Sequence, residues 1–352
     1  MEEQQGGSSD WIKLKIDPAI FEELGVRDPE QVKLENAIRQ KVRQITKELQ
    51  TDPDNLDKQV ELATLYIDGG NYELAVKTLK TVVGKDPKNY KAYKALGSAY
   101  ALFKHEDEAI VEFGKAIELN PDDPETHFNL GGVFMLKDMF PSAVMEFKKT
   151  VELEPGDTIA YANLAAAYDM QRMYVEEIQT LKKVLMFNPE DKELRSALST
   201  AYFNAGEYDD ALGSALCVVD LDDKDPQAYC NLGSCFAAKN MTDDAVNAFN
   251  KAMELSPDFS LPHTNLGSLY ASLGRIEKAI KEFKLATDLN TADALAWLNL
   301  FNCYKEIGRM EESQEAYKKY EEIMHQHQKP AAEPADFSGI PGGVSTEQKP
   351  AT

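Results

Sequence analysis

The chain has 352 residues, 43% hydrophobic and 28% charged, with 38 Lys and Arg against 60 Asp and Glu for a net charge of −22. A chain this acidic repels phosphate backbones and anionic lipid, so no nucleic-acid partner is expected and a neutral or basic protein fits better. No apolar run nears the roughly 18 residues of a membrane span, and the polar start MEEQQGGSSD lacks both parts of a secretory signal. No membrane insertion is expected, and the cytoplasm is the expected compartment.

Residues 1–28 are expected to be an extended, partly disordered N-terminal segment, in which DWIKLKI, at 10–16, alternates Ile12, Leu14 and Ile16 with Lys13 and Lys15. With no sheet to join, this stretch either packs on the neighbouring helix or docks on another protein. Asp28-Pro29-Glu30 is a helix start, an Asx cap followed by Pro at the first helical position. Ile38, Val42, Ile45 and Leu49 then make one apolar stripe, so 29–55 is predicted to be a capping helix. Arg39, Lys41, Arg43 and Lys47 make it basic against an acidic body, so it is also the candidate route to a homo-oligomer.

From Leu56 a unit of 34 residues repeats eight times without insertion or deletion, starting at 56, 90, 124, 158, 192, 226, 260 and 294 and ending at His327. Position 7 is always Leu and position 8 is small in seven copies, from Ala63 and Gly97 to Gly267, with Phe301 in the eighth. Position 11 is always aromatic (Tyr66, Tyr100, Phe134, Tyr168, Tyr202, Phe236, Tyr270, Tyr304). Position 20 is Ala except at Glu177 and Ser313, and position 32 is Pro in five copies. Apolar positions 4, 7, 8 and 11 share one helix face. A small residue at 8, and Ala at 20, let a second helix approach. Position 15 holds Gly70, Asp138, Gly206, Asn240, Gly274 and Gly308, residues that tolerate the left-handed backbone ending a helix, with Lys104 and Arg172 as exceptions. Proline at 32 ends the second helix.

The last second helix, MEESQEAYKKYEEIMHQHQ, is highly charged, with its apolar contacts expected at Met310, Tyr317, Tyr320 and Met324, and caps the array. Residues 328–352 are rich in Pro, Gly, Ala and Thr and are expected to be disordered. Phe337 and Ile340 in that tail could occupy a groove, this protein's own included.

These columns resemble the tetratricopeptide repeat, whose period is 34. The resemblance covers 56–327 and implies an all-α fold, a right-handed α-solenoid of helix pairs with a concave groove lined by each first helix. Positions 2, 5, 6, 9 and 13, with 12 at the edge, lie opposite the apolar stripe and then face the groove. Position 6 is Asn129, Asn163, Asn231, Asn265 and Asn299, with Glu61, Ala95 and Ala197 in the other copies. A side-chain amide both donates and accepts, as an extended backbone does. The column resembles the asparagine ladder of the repeat domain of O-linked N-acetylglucosamine transferase, which grips extended peptides. It is also a common feature of these repeats generally.

Apolar groove residues are Phe128, Met135, Leu136, Ile159 and Met170 in the third and fourth copies, and Leu261, Leu295 and Leu298 in the last two. Lys91, Lys94 and Lys305 are the groove bases. Asp57, Glu61, Asp68, Glu125, Asp169, Glu193 and Glu306 are its acids. The expected ligand is an extended, largely apolar, neutral-to-basic protein segment. The carboxylate clamp of chaperone-binding relatives is incomplete: Lys94 and Asn129 fit, but Ser98, Ile159 and Asn163 replace its other groups.

No catalytic reading emerges. Only 25 residues follow the repeats, too few for a catalytic domain. No Gly-rich phosphate loop, nucleophile elbow or metal motif is present. Cys217, Cys230, Cys235 and Cys303 form no C-x-x-C pair, so neither a metal site nor a cofactor is expected. Two readings remain: an adaptor that captures a partner segment in the groove, and an assembly scaffold that works through its ends or convex face.

Overall fold

The computed structural model describes residues 29–327, all of whose regular structure is α-helical. The stretch at 10–16 and the tail from 328 lie outside the described residues. The chain divides into two compact units, one ending at Pro189 and the other beginning at Glu190. In the first, α1 (Pro29–Thr51) is followed by four helix pairs. These are α2 (Leu56–Asp68) with α3 (Tyr72–Lys85), α4 (Tyr90–Leu102) with α5 (Glu106–Leu119), α6 (Pro124–Leu136) with α7 (Phe140–Leu153), and α8 (Thr158–Asp169) with α9 (Tyr174–Leu185). The second unit has four more: α10 (Lys192–Ala205) with α11 (Tyr208–Leu221), α12 (Pro226–Ala238) with α13 (Thr242–Leu255), α14 (Ser260–Ser272) with α15 (Ile276–Leu289), and α16 (Ala294–Glu306) with α17 (Met310–His327).

Local chemistry fixes both ends of each first helix. At position 34, just before the helix, Asn55, Asn89, Asp123, Asp157, Asp191, Asp225 and Asp293 accept bonds from backbone N–H groups of the first turn. Phe259 precedes α14 without such a bond. At the other end, position 15 is left-handed in every pair. The residues are Gly70, Lys104, Asp138, Arg172, Gly206, Asn240, Gly274 and Gly308, with φ from 54° to 80°. The next N–H then donates back to the carbonyl of the position-11 aromatic, as from Asn71 to Tyr66 at 2.7 Å and from Arg309 to Tyr304 at 2.9 Å. Lys104 and Arg172 accept the strained conformation because the turn is set by packing on both sides.

The two helices of a pair interlock at positions 8 and 24. A methyl group added at Gly97, Gly131, Gly233 or Gly267 would lie 2.6–2.7 Å from the ring of Phe113, Phe147, Phe249 or Phe283. All four rings are buried to within 1%. In three other pairs position 8 carries a small side chain and position 24 is smaller than Phe: Leu79 opposite Ala63, Leu181 opposite Ala165, and Ala215 opposite Ser199. The Ser199 hydroxyl donates to the Ala211 carbonyl, 2.9 Å away. Successive pairs are joined by a third contact, Lys at position 25 over the next position-11 ring, as with Lys80 on Tyr100, Lys148 on Tyr168 and Lys284 on Tyr304.

Within each unit successive first helices touch one another, whereas successive second helices make no comparable contact. Each stack therefore curves with its first helices inside. α1 closes the first stack, burying Ile45 and packing Ile38, Val42 and Leu49 on Leu62, Leu65 and Tyr66. Its Arg39, Lys41, Arg43 and Lys47 are exposed. In α17 the buried stripe is Ser313, Ala316 and Ile323, with Tyr320 half-buried. Met310, Tyr317 and Met324 stay exposed, which corrects the expected set. Phe301 occupies position 8 and drives the Tyr317 ring outward, to a centroid distance of 5.0 Å, so the contact face rotates by about one residue.

Two stability predictions follow from these contacts. Gly131→Ala costs about 1–3 kcal/mol through overpacking, although alanine is the better helix former. Adding Phe147→Leu, which recreates the Ala165–Leu181 pairing, recovers part of that loss, so a denaturant double-mutant cycle gives a favourable coupling. Lys104→Gly and Arg172→Gly, which relieve left-handed strain, each stabilise by about 1 kcal/mol, read as a rise in urea midpoint.

Candidate functional site

The expected groove residues stand on the inner helices, and the structure gathers part of them. In the first unit, Phe128, Asn129 and Leu136 of α6 and Asn163 of α8 line one cleft of about 270 Å³, with Ala101 and Leu102 of α4. Its lining is overwhelmingly apolar. Its floor is the core itself, Val133 with the rings of Phe113 and Phe147, and Phe128 lies 5.8 Å from Phe147 between ring centres. The hollow exists because position 9 is Gly132, whose missing side chain would enter open space. The sequence reading passed over this residue, although it is the only glycine in its column (Thr64, Ser98, Gly132, Ala166, Thr200, Ser234, Ser268, Asn302).

Leu136 at the mouth is 70% exposed. Met170 and Ile159 are exposed on α8 and the turn after it, and Met135 is half-buried, but none of the three lines the cleft. In the second unit Leu261 and Leu295 are exposed and Leu298 is half-buried.

The asparagines are all half-buried, but they are engaged differently. Asn231 donates to the Ser196 hydroxyl at 3.4 Å and accepts from Gln227 at 2.8 Å. Asn265 donates to the Ser234 hydroxyl at 3.2 Å and the Cys230 sulfur at 3.4 Å. These two tie neighbouring first helices together. Asn163 donates to its own helix, at Ile159 O, 2.9 Å away. Among the described residues, Asn129 and Asn299 have no hydrogen-bond partner.

Charge is partly neutralised. Lys94 lies 2.6 Å from Glu125 and 3.2 Å from Asp123. Burial alone would pull its ammonium down, but those partners outweigh it and hold it above the ordinary lysine value. Lys91 is exposed. Asp57, Glu61 and Asp169, exposed on the same helices, have no ion-pair partner among the described residues, so the inner face of the first unit is left acidic.

The buried thiols are inert. Burial pushes Cys230 up to about 12 and raises Cys235 and Cys303, so none offers a thiolate at neutral pH. His127 and His263 bridge their pairs to Glu146 and Glu282 at 2.6 and 2.8 Å, a structural use of two histidines that the sequence left without a role.

These hairpins, interlocked at fixed positions and lined on the inside by their first helices, define an all-α helical-repeat protein. Models of the tetratricopeptide repeat match residues 35–113, 226–259 and 262–293, and one described as a TPR repeat matches 107–138. The chain carries tetratricopeptide repeats. No curated protein matches it. Among solved structures, a tetratricopeptide repeat protein from Parabacteroides merdae is 16% identical over 70% of this chain and 97% of its own, with a TM-score of 0.51. YrrB, titled a TPR protein with an unusual peptide-binding site, is 27% identical over 52% of this chain and 95% of its own, at 0.42. MamA from Desulfovibrio magneticus is 22% identical over 48% and 95%, at 0.44. No described helix is long and apolar enough to cross a membrane.

Glu177 breaks the alanine column. It is 5% exposed and its Oε2 has no hydrogen-bond partner. Burial, with the Asp169 charge added, raises its carboxyl from 4.5 to about 7. The folded state therefore holds this proton more tightly than the unfolded chain. The stabilising difference is full below about pH 4.5, falls as pH rises to 7, and is absent above it. Glu177→Gln removes this dependence. The variant gains stability relative to the parent between pH 4.5 and 7, by on the order of 3 kcal/mol in total, measured by urea unfolding at several pH values.

Proposed function

We propose that the protein is a non-enzymatic adaptor that holds an extended, largely apolar segment of a partner protein against its inner helices. The observation that carries this is the cleft at Gly132. It is an apolar hollow about the size of one or two side chains, smaller than the roughly 300–1,000 Å³ of small-molecule pockets. Asn129 and Asn163 line it, and their amides can pair with a backbone passing over it. The unpaired acids on the same face favour a ligand that carries Lys or Arg beside its apolar residues.

A scaffold role is the second reading. Val111, Met145 and Val175 are 53–69% exposed on α5, α7 and α9, the outer helices of the first unit, and Leu34 is 62% exposed on α1. Such apolar residues on outer surfaces favour assembly through the convex side or through α1 as a homo-oligomer.

Capture of partners from native lysate, read by mass spectrometry, separates the two. Leu136→Asp is expected to reduce capture of groove-bound partners at least about tenfold, with helical circular dichroism and melting unchanged because the side chain is mostly in water. Asn129→Ala/Asn163→Ala does the same. Partners retained by both variants but lost with Met145→Asp/Val175→Asp belong to the scaffold reading.

A further inference from the structure

The groove reading implies a ligand that alternates apolar residues with lysine, and this chain contains such a segment. We propose that residues 10–16, DWIKLKI, occupy the cleft at Gly132 of the same molecule and regulate access to it. The inference rests on the groove reading above.

Topology brings the segment to the right place. α1 runs antiparallel to α2. Glu48 near its end pairs with Lys58 at the start of α2, Lys41 acts on Asp68 at the far end, and a methyl group built on Gly69 would lie 3.7 Å from Ile38. The start of α1 at Pro29 therefore projects about 14 Å beyond the C-terminal end of α2, nine residues at 1.5 Å each. The cleft opens at that same end of the inner helices, against Ala101 and Leu102 of α4 and Leu136 of α6. Three interaxial steps of 8–10 Å lead from α1 through α2 and α4 to α6, about 27 Å. With the 14 Å axial offset at right angles to them, the straight path from Pro29 is about 30 Å. Residues 17–28 reach at most about 40 Å when extended, enough to bring Ile16 to the cleft.

Chemistry also matches. In an extended chain Ile12, Leu14 and Ile16 share one face, which an apolar hollow would bury, with Leu14 central. Lys13 and Lys15 lie on the other face, and their long stems can bend to the rim. Asp169, at the C-terminal end of α8, is exposed with no ion-pair partner among the described residues, and Asp57 and Glu61 add charge farther off on the same inner face. The tail around Phe337 and Ile340 has no lysine between its apolar residues, and so lacks this charge match. A tethered ligand competes at an effective concentration that reaches millimolar for short linkers, so a partner of similar chemistry must displace it.

Photo-crosslinking in the full chain tests the proposal, with Leu14 replaced by p-benzoylphenylalanine. The expected link falls within one molecule on residues around Gly132 and Leu136, and disappears with Gly132→Leu, which fills the hollow. Leu136→Asp serves if Gly132→Leu does not fold. A link to α1 or α2, a link between two chains, a link to the 328–352 tail, or none, overturns it. A fluorescein-labelled peptide of residues 10–16 should bind full-length Leu14→Asp at least about tenfold more tightly than the parent, because the tethered competitor is weakened. Equal binding to both, still lost with Gly132→Leu, overturns self-occupancy and leaves the groove reading standing. Absence of binding to either, with lysate partners unaffected by Leu136→Asp, removes both.

Discussion

The contact on which the architecture turns is the approach of two helices at positions 8 and 24. Where a phenyl ring is laid against a glycine, the ring fills the space that a side chain would take. The volume is nearly conserved where Gly meets Phe and Ala meets Leu; Ser199 with Ala215 is smaller, and there the serine hydroxyl bonds the Ala211 carbonyl directly. Interiors packed to crystal-like density respond in this way, one side giving up what the other gains. In the last pair Phe301 is large and Tyr317 is displaced onto the surface, where its ring lies tilted against Phe301 and, at 6.0 Å, against Tyr320. The interlock cannot be repeated there, and the charged outer face of α17 meets solvent.

Most of the fold was legible because its period is written in residues with few physical alternatives. An aromatic at 11, a small residue at 8 and alanine at 20 each answer to a contact. The left-handed turn at 15 was legible even where Lys104 and Arg172 stand, since the columns around them left the backbone no other course. Two features were harder to read. The Asx caps lie one residue before all but one of the first helices, two residues after the more conspicuous proline at position 32. The stripe of α17 was misplaced because its large residues are not its buried ones. Ala316 and Ser313 bury little area, but they are what the Phe301 side of the pair can accommodate.

The site was only half legible for a related reason. Sequence shows which residues point inward, but a hollow is made by what is missing. Gly132 leaves its mark as an absence in a column of small residues, and the cleft also draws on Ala101, Leu102 and Val133, which by type are ordinary core. Met170 is exposed, but exposure does not bring it to the cleft.

The asparagine column shows why recurrence alone does not define a binding residue. Each Asn at position 6 faces positions 5 and 9 of the preceding first helix. Where these are Ser196, or Cys230 with Ser234, the amide is drawn into a bond between helices. Where position 5 is already held by the acid at position 34, as Lys94 is by Asp123 and Thr264 by Asp293, the next Asn is left without a partner. Asn129 and Asn299 are those two. Asn163 follows Phe128 and Gly132, which offer nothing to bond, so it turns to the carbonyl of Ile159. A half-buried amide without an internal partner depends on water or a ligand for its hydrogen bonds. The availability of each asparagine is thus decided one repeat upstream, by residues that never touch the ligand.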